Sequence, residues 1–329
     1  MIVTQTPLRV SLAGGATDLA AYYEEHEGFV VSTAIDKFAF VIVKERFDDE
    51  VYLNYMRKEI VSSVDAIQHE LIREAMRITG VDRGVEVTLL SDIPSEGSGL
   101  GSSSSFSVGL LNAFYAYRGE QVTAERLARE ACEIEIERLG KPIGKQDQYI
   151  AAYGGLRALR FRRDGEVDVR SLRLAPSDLR DISSRLHLYF TGRTRRAESI
   201  LSEQRARTQD RRAELDGIKA LALELEEALE ARELDRLGEV LHESWELKRR
   251  LASGISDGPI EQLYAQARSH GALGGKICGA GGGGFLLVDC PPEHGQRLAK
   301  GMASHRELPF RLERDGSKVI FNYRREAWR

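Results

Sequence analysis

Residues 92–114, DIPSEGSGLGSSSSFSVGLLNAF, place the densest glycine and serine of the chain between two apolar segments, and few folds have a use for that arrangement. On the near side Val85, Val87 and Leu89 alternate with Glu86 and Thr88, which predicts a half-buried strand ending near Asp92. On the far side Phe106, Leu110 and Phe114 recur at i, i+4 and i+8 beside Val108 and Leu111, the inner stripe of a buried helix starting near Ser104. Core-like flanks do not suit a flexible linker. A small-residue loop between strand and helix lets backbone N–H groups converge and a ligand approach without Cβ obstruction. The helix start adds free donors and its positive dipole end. Such a place suits phosphate, although a tight turn without a ligand satisfies the same letters. Its serines offer N-cap oxygens and, where one faces a ligand, a hydroxyl for Mg²⁺. Two familiar phosphate loops are excluded. There is no G-x-x-x-x-G-K-[ST], and Gly97, Gly99 and Gly101 are followed by Ser102 where a dinucleotide fingerprint needs glycine. The protein-kinase motifs H-R-D and D-F-G are also missing.

Two further small-residue clusters bear on the choice. PLRVSLAGGATDL (7–19) puts Arg9 on a strand ahead of Gly14, Gly15, Thr17 and Asp18, and KICGAGGGGFLLVD (276–289) sets five glycines between 279 and 284 against an apolar strand. Either alone reads as a turn. Three in one chain argue for several backbones approaching one polar ligand. Phosphoryl transfer also needs a cation, metal ligands and a group that takes the nucleophile's proton. ERLGKPIGKQDQY (137–149) offers Asp147 beside Lys145, a cation expected to keep the carboxylate ionised, and Glu137, late in the preceding helix, as a metal ligand. Taken alone, Asp147 is also an ordinary solvated loop residue.

At 329 residues the chain suits two domains, with a boundary near residue 180 (1–180 and 181–329). Lys+Arg 47 against Asp+Glu 51 gives a formal charge of -4, so no global basic field favours nucleic acid or anionic lipid, and any bound anion needs a local site. MIVTQTPLRV has no secretory pattern and no run of about 18 apolar residues follows, so the expected location is the cytoplasm. Cys132, Cys278 and Cys290 lack a C-x-x-C spacing and are expected to be reduced and buried; the seven histidines, His26 and His242 among them, lack metal-site spacing. FVVSTAIDKFAFVIVKERF (29–47) reads as two buried strands, and TAERLAREACEIEIERLG (123–140) as a helix capped by Thr123 and stopped at Gly140. Beyond the RLHLYFTG strand, Leu215, Ile218, Ala222, Leu225 and Leu229 predict an antiparallel helix pair rather than a coiled-coil seam, since the pattern is short and holds Gly217. GFLLVD and KVIFNY return to strand signals.

Together the segments resemble the GHMP kinase superfamily over nearly the whole chain. PSEGSGLGSSSS is similar to its nucleotide loop, KICGAGGGGF to its C-terminal glycine motif and PLRVSLAGGATDL to its N-terminal substrate motif, in the same order. The resemblance implies a two-domain α+β fold, with an N-terminal domain like ribosomal-protein S5 domain 2, a ferredoxin-like C-terminal domain and the site between them. It implies that Gly97, Ser98, Gly99, Leu100, Gly101, Ser102, Ser103 and Ser104 wrap the phosphates of ATP. Ser103 and Glu137 would hold Mg²⁺, with Glu133 or Glu135 as replacements for Glu137. Asp147 would be the general base beside Arg9. Gly14, Gly15, Thr17, Asp18, Lys145, Gly281, Gly282 and Arg193 would face the substrate. The G-E-H elements of galactokinases and mevalonate kinases are missing. GGATDLAAYY, GKPIGKQDQY and YFTGRTRRAESIL look most like the D-glycero-D-manno-heptose 7-phosphate kinases, which phosphorylate the anomeric hydroxyl. Arg193, Arg195 and Arg196 either grip the sugar's terminal phosphate or form a solvated face. An anomeric kinase for a free sugar such as fucose, or a non-catalytic nucleotide and sugar sensor, stays open as an alternative, as does a homodimer.

Overall fold

In the computed structural model, which describes residues 1–94, 97–194 and 198–323, the apolar run after Gly28 is a single strand of 18 residues and not two. Its texture is interrupted at Asp36 and Lys37, but hydrogen bonding is not. Strand β1 (Ile2–Ala13) lies antiparallel along residues 31–43 of β2 (Gly28–Glu45), while the other edge of β2 changes partner. After β3 (Val51–Asn54) and β4 (Lys58–Val61), β5 (Val85–Ser91) pairs with residues 39–45 of β2; β6 (Leu156–Phe161), which carries β7 (Val167–Ser171), pairs with residues 28–33. The polar pair sits where one neighbour gives way to the next.

The second sheet runs in the order β8 (Leu186–Phe190), β10 (Phe285–Asp289), β9 (Gly274–Ile277), all antiparallel. The outer edge of β8 is bonded in turn by the 306–308 segment, through Phe190 N–H to the Arg306 carbonyl and Leu308 N–H to the Leu188 carbonyl. The last strand, β11 (Lys318–Asn322), departs from a boundary near residue 180, because it pairs antiparallel with β1 in the first sheet. Pattern marks KVIFNY as a strand but carries no information on which open edge receives it.

Eleven helices among the described residues clothe the sheets: α1 (Ala20–His26), α2 (Glu70–Thr79), α3 (Ser102–Arg118), α4 (Ala124–Cys132), α5 (Gln146–Tyr153), α6 (Pro176–Arg185), α7 (Glu198–Ala206), α8 (Arg212–Glu230), α9 (Asp235–Lys248), α10 (Gly258–Ser269) and α11 (Gly295–Gly301). One core lies between the first sheet and α2 to α5, centred on Val41, Val87, Leu110 and Phe114. On the other face Leu8, Val10 and Leu12 of β1 pack with Leu225 and Leu229 of α8, Leu237 and Leu241 of α9, and Leu287 of β10. The two sheets therefore share a core, and α8 and α9 pack on it as a helix pair, Leu215, Ile218, Ala222, Leu225 and Leu229 all being buried. Strand alternation then places Arg9 and Ser11 opposite those leucines. Cys132, Cys278 and Cys290 are buried and unbridged. No helix among the described residues is long and apolar enough to cross a membrane.

Candidate active site

Two glycine segments meet backbone to backbone. A Cβ on Gly99 would lie 2.5 Å from the Cys278 carbonyl oxygen, one on Gly279 would lie 2.7 Å from the Cα of Gly99, and one on Gly284 would lie 2.4 Å from the Ser98 carbonyl oxygen. Only residues without side chains allow two turns to approach so closely. Gly101, at φ +79°, then turns the chain into α3. Side chains of the loop divide by task. Leu100 is buried in the shared core, the Ser98 and Ser102 hydroxyls lie 3.3 Å apart and both are buried, Ser104 is buried, and Ser105 Oγ donates to the Pro7 carbonyl at 2.8 Å. Ser103 alone in the first turn of α3 is exposed.

Directly beneath the loop, Arg9 Nε and Nη2 donate to the two carboxylate oxygens of Asp147 at 2.7 and 2.6 Å, and its Nη1 donates to the Gly99 carbonyl at 2.6 Å. The fork fixes the carboxylate in plane and ties it to the loop. Burial lowers the Arg9 pKa, but the charge and hydrogen bonds of Asp147 outweigh it and the net shift is upward. Lys145, the cation expected beside Asp147, is turned away: its Nζ donates to the Gly165 carbonyl at 2.7 Å and lies over the Tyr23 ring. Residues two apart at a helix start diverge by roughly 200°, so sequence proximity did not bring them together.

Asp18 is buried (3% exposed), and its carboxylate accepts from Ala16 N–H at 3.1 Å, Gln146 N–H at 3.2 Å and Gln146 Nε2 at 3.3 Å. Burial, reinforced by the Asp147 charge, pushes its pKa up to about 6. Asp18 and Asp147 thus flank Gln146. The buried Ser11 Oγ and Gln146 Oε1 have no partner, and Gly15 lies against both side chains. Its neighbours in the motif serve the turn instead. A Cβ on Gly14 would meet the Phe29 carbonyl oxygen at 2.0 Å, and Thr17 Oγ1 donates to the Gly14 carbonyl at 2.7 Å. Gly281 abuts Ile255, Gly282 N–H donates to the Ile255 carbonyl at 2.8 Å, and the Arg193 guanidinium pairs with Asp257, so these three expected substrate contacts are spent within the protein. Arg195 and Arg196 lie outside the described residues.

Ser103 Oγ donates to Glu135 at 2.8 Å, and Gln148 Nε2 donates to the other oxygen of Glu135 at 3.1 Å. Glu137 is exposed, and Glu133 is paired with Arg138 at 2.6 Å on the outside of the helix. The carboxylate facing Ser103 is therefore Glu135, which corrects the placement of Glu137. The helix opened by Thr123, whose Oγ1 accepts from Arg126 N–H at 3.2 Å, widens to a π-helix over Glu133–Arg138. A usable signal existed: Leu127, Ala131 and Glu135 share the i, i+4, i+8 stripe. Glu135 is fully buried, and burial pushes its pKa up against the opposing pull of Lys141 and the Ser103 and Ser104 hydroxyls.

Sequence reasoning also passed over two buried lysines on the C-terminal side. Lys248 Nζ donates to the Ile277 carbonyl at 3.0 Å and to that of Gly279, while Lys276, 3% exposed, reaches only the Leu12 carbonyl at 3.4 Å. Burial lowers the first to about 7 and the second to about 8. The lone charge in GGKIC was the available sign.

Residues 60–155 match the family model for the GHMP kinases N terminal domain, and residues 225–307 match that for the GHMP kinases C terminal. The chain is 32% identical to a D-glycero-alpha-D-manno-heptose 7-phosphate kinase of Campylobacter jejuni, over 92% of this chain and 93% of that protein. It is 28% identical to an L-fucokinase/L-fucose-1-P guanylyltransferase of Bacteroides fragilis, over 90% of this chain and 35% of that longer protein. Its backbone matches the crystal structure of a D-glycero-D-manno-heptose 1-phosphate kinase from Bacteroides thetaiotaomicron with a TM-score of 0.83 at 24% identity, covering 98% of this chain and all of that one.

Proposed function

The chain belongs to the GHMP kinases, and on that premise we propose that it moves the γ-phosphate of ATP to the anomeric hydroxyl of D-glycero-D-manno-heptose 7-phosphate. The observation that carries this reading is the Arg9–Asp147 fork, with N···O distances of 2.6 and 2.7 Å, tied to the interlocked glycine loops through the Gly99 carbonyl. Amides of Gly97 to Ser104, with the start of α3, suit the triphosphate. Asp147 takes the proton of the attacking hydroxyl as its oxygen bonds to phosphorus and the bond to ADP breaks. Arg9 keeps the carboxylate aimed during that step. Asp18, Ser11 and the Gln146 amide, gathered around Gly15, supply hydrogen bonds for sugar hydroxyls.

Magnesium fits the donors present. No group of three or more His, Cys, Asp or Glu side chains among the described residues is arranged to hold a metal, which excludes an all-protein cage there. Mg²⁺ is ordinarily held by one or two protein oxygens together with substrate phosphates, and Ser103 with Glu135 is such a set. When bound, the metal neutralises charge on the phosphates.

The substrate reading rests on the 32% identical relative and on the GGATDL and GKPIGKQDQ motifs; the fucokinase relative, at 28%, marks the free-sugar alternative. ADP release measured across heptose 7-phosphate, other sugar phosphates and free sugars tests it. The highest kcat/KM is expected with heptose 7-phosphate. Preference for a free sugar refutes the substrate, and binding of ATP and sugar without turnover would make the protein a sensor.

A further inference from the structure

The junction between the sheets holds three buried cations and two buried or half-buried carboxylates, and their hydrogen bonds do not balance. Arg9 is held by Asp147 and the Gly99 carbonyl through its Nε, Nη1 and Nη2. Lys248, from the end of α9, is capped by two carbonyls of the glycine motif. The Asp18 oxygens accept from Ala16 and Gln146. Lys276 is different: an ammonium with three donors, 3% exposed, has among the described residues one long contact at 3.4 Å to the Leu12 carbonyl and no ion pair. A buried ammonium left so nearly bare costs several kcal/mol unless an anion completes its shell.

Its position indicates which anion. Lys276 is the third residue of β9, two residues before Cys278, whose carbonyl abuts Gly99 of the nucleotide loop. From there it crosses to the end of β1, three residues beyond Arg9. The charged groups around it are Arg9 on β1, Asp18 in the turn after β1, Cys278 on its own segment and Lys248 on α9. It therefore stands between the residues suited to phosphate and those suited to sugar.

We propose that Lys276 binds an oxygen of the phosphoryl group in transfer, serving as a catalytic residue beside Arg9, whose Nε, Nη1 and Nη2 already hold Asp147 and the Gly99 carbonyl. The inference rests on the kinase reading. It assigns the glycine motif a second purpose, since only close approach of the two turns brings the ammonium near the nucleotide's tail. Lys248, by contrast, braces the glycine motif through the Ile277 and Gly279 carbonyls.

The experiment needs no sugar. Lys276 titrates near pH 8, so binding of Mg²⁺ with the unreactive analogue AMP-PNP at that pH should draw about half a proton onto it, read by calorimetry in buffers of differing ionisation enthalpy. Lys276→Met, which keeps the unbranched stem, should abolish the uptake; Lys276→Gln provides the same comparison if the methionine variant fails to fold. No uptake by the native protein, or equal uptake by native and variant, overturns the proposal. In turnover assays either variant should lose on the order of 10²-fold in kcat, and its affinity for AMP-PNP at pH 8 should fall about tenfold, as the proton uptake requires. A kcat within threefold of native also overturns it. Because the calorimetry uses nucleotide alone, it can fail while the native enzyme still releases ADP, and the absence of ADP release with every sugar would defeat the kinase reading without altering the proton count.

Discussion

Replacing Gly99 by alanine measures how much of the site depends on the interlocked turns. Gly99 has φ +74°, where an L side chain costs roughly 1 kcal/mol in backbone strain. The added Cβ would also lie 2.5 Å from the Cys278 carbonyl oxygen, whereas ordinary contacts begin near 3.4 Å, so one turn must retreat by close to an ångström. Overpacking of that kind costs about 1 to 3 kcal/mol, and displacing the Gly99 carbonyl weakens a 2.6 Å bond from Arg9, which adds about 1 to 2 kcal/mol more. A total of about 3 to 6 kcal/mol is expected. Gly140 provides the control, since it has φ +64° and nothing within 4 Å of an added Cβ, so Gly140→Ala should cost only about 1 kcal/mol. Urea midpoints read at equal m-values give both costs, and AMP-PNP titration should show Gly99→Ala losing at least tenfold in affinity. Equal destabilisation by the two substitutions would refute the close approach as an energetic feature and leave only glycine's backbone freedom.

Asp147→Asn should lower kcat by about 10²- to 10⁴-fold while ATP binding stays near native, and near-normal turnover in steady-state assays would remove Asp147 from the chemistry. Glu135→Gln should raise the Mg²⁺ concentration needed for half-maximal rate on the order of tenfold, whereas Glu137→Gln, on the exposed face, should leave it unchanged; equal metal curves for the two would place the metal elsewhere. Asp18 holds its proton up to about pH 6 when folded and to about 4 when unfolded, so its contribution to stability is largest in acid and declines as pH rises through that interval. Unfolding free energies of native protein and Asp18→Asn should accordingly differ by about 2 kcal/mol more in the native protein's favour at pH 4 than at pH 7. A difference that does not move with pH would show that Asp18 is not held in its acid form.

Local pattern carried the site a long way and stopped at contacts made across the chain. The alternation of Val85, Val87 and Leu89, the stripe of α3 and the three glycine clusters are short-range signals, and each produced the element it implies. Asp147, expected in a polar loop beside Lys145, lies in the first turn of α5 with a different cation: Lys145 is two residues away and faces Gly165, while Arg9, separated by 138 residues, makes the fork. The choice of Glu137 failed at a π-turn, where one wider ring of hydrogen bonds resets which side chains point inward. The unity of β2 was hidden because two polar residues mark a change of neighbouring strand as readily as an end of strand. Thr17 and Gly14 were read as ligand groups because small polar residues serve turns and ligands alike.

Strand β11 has a consequence for the assembly of the first sheet. It supplies residues 318–322 as the partner of Ile2 to Gln5, and the Met1 amino group donates to the Tyr323 carbonyl at 2.5 Å. The strand carrying Arg9 thus has its outer rim sealed by a segment remote from it in sequence. Until that segment docks, the folding chain displays an open strand edge to its neighbours. With Met1 and Tyr323 side by side, a short linker joining the two, with the chain reopened in the exposed turn around Asp164, would place β11 ahead of β1 and make that pairing local.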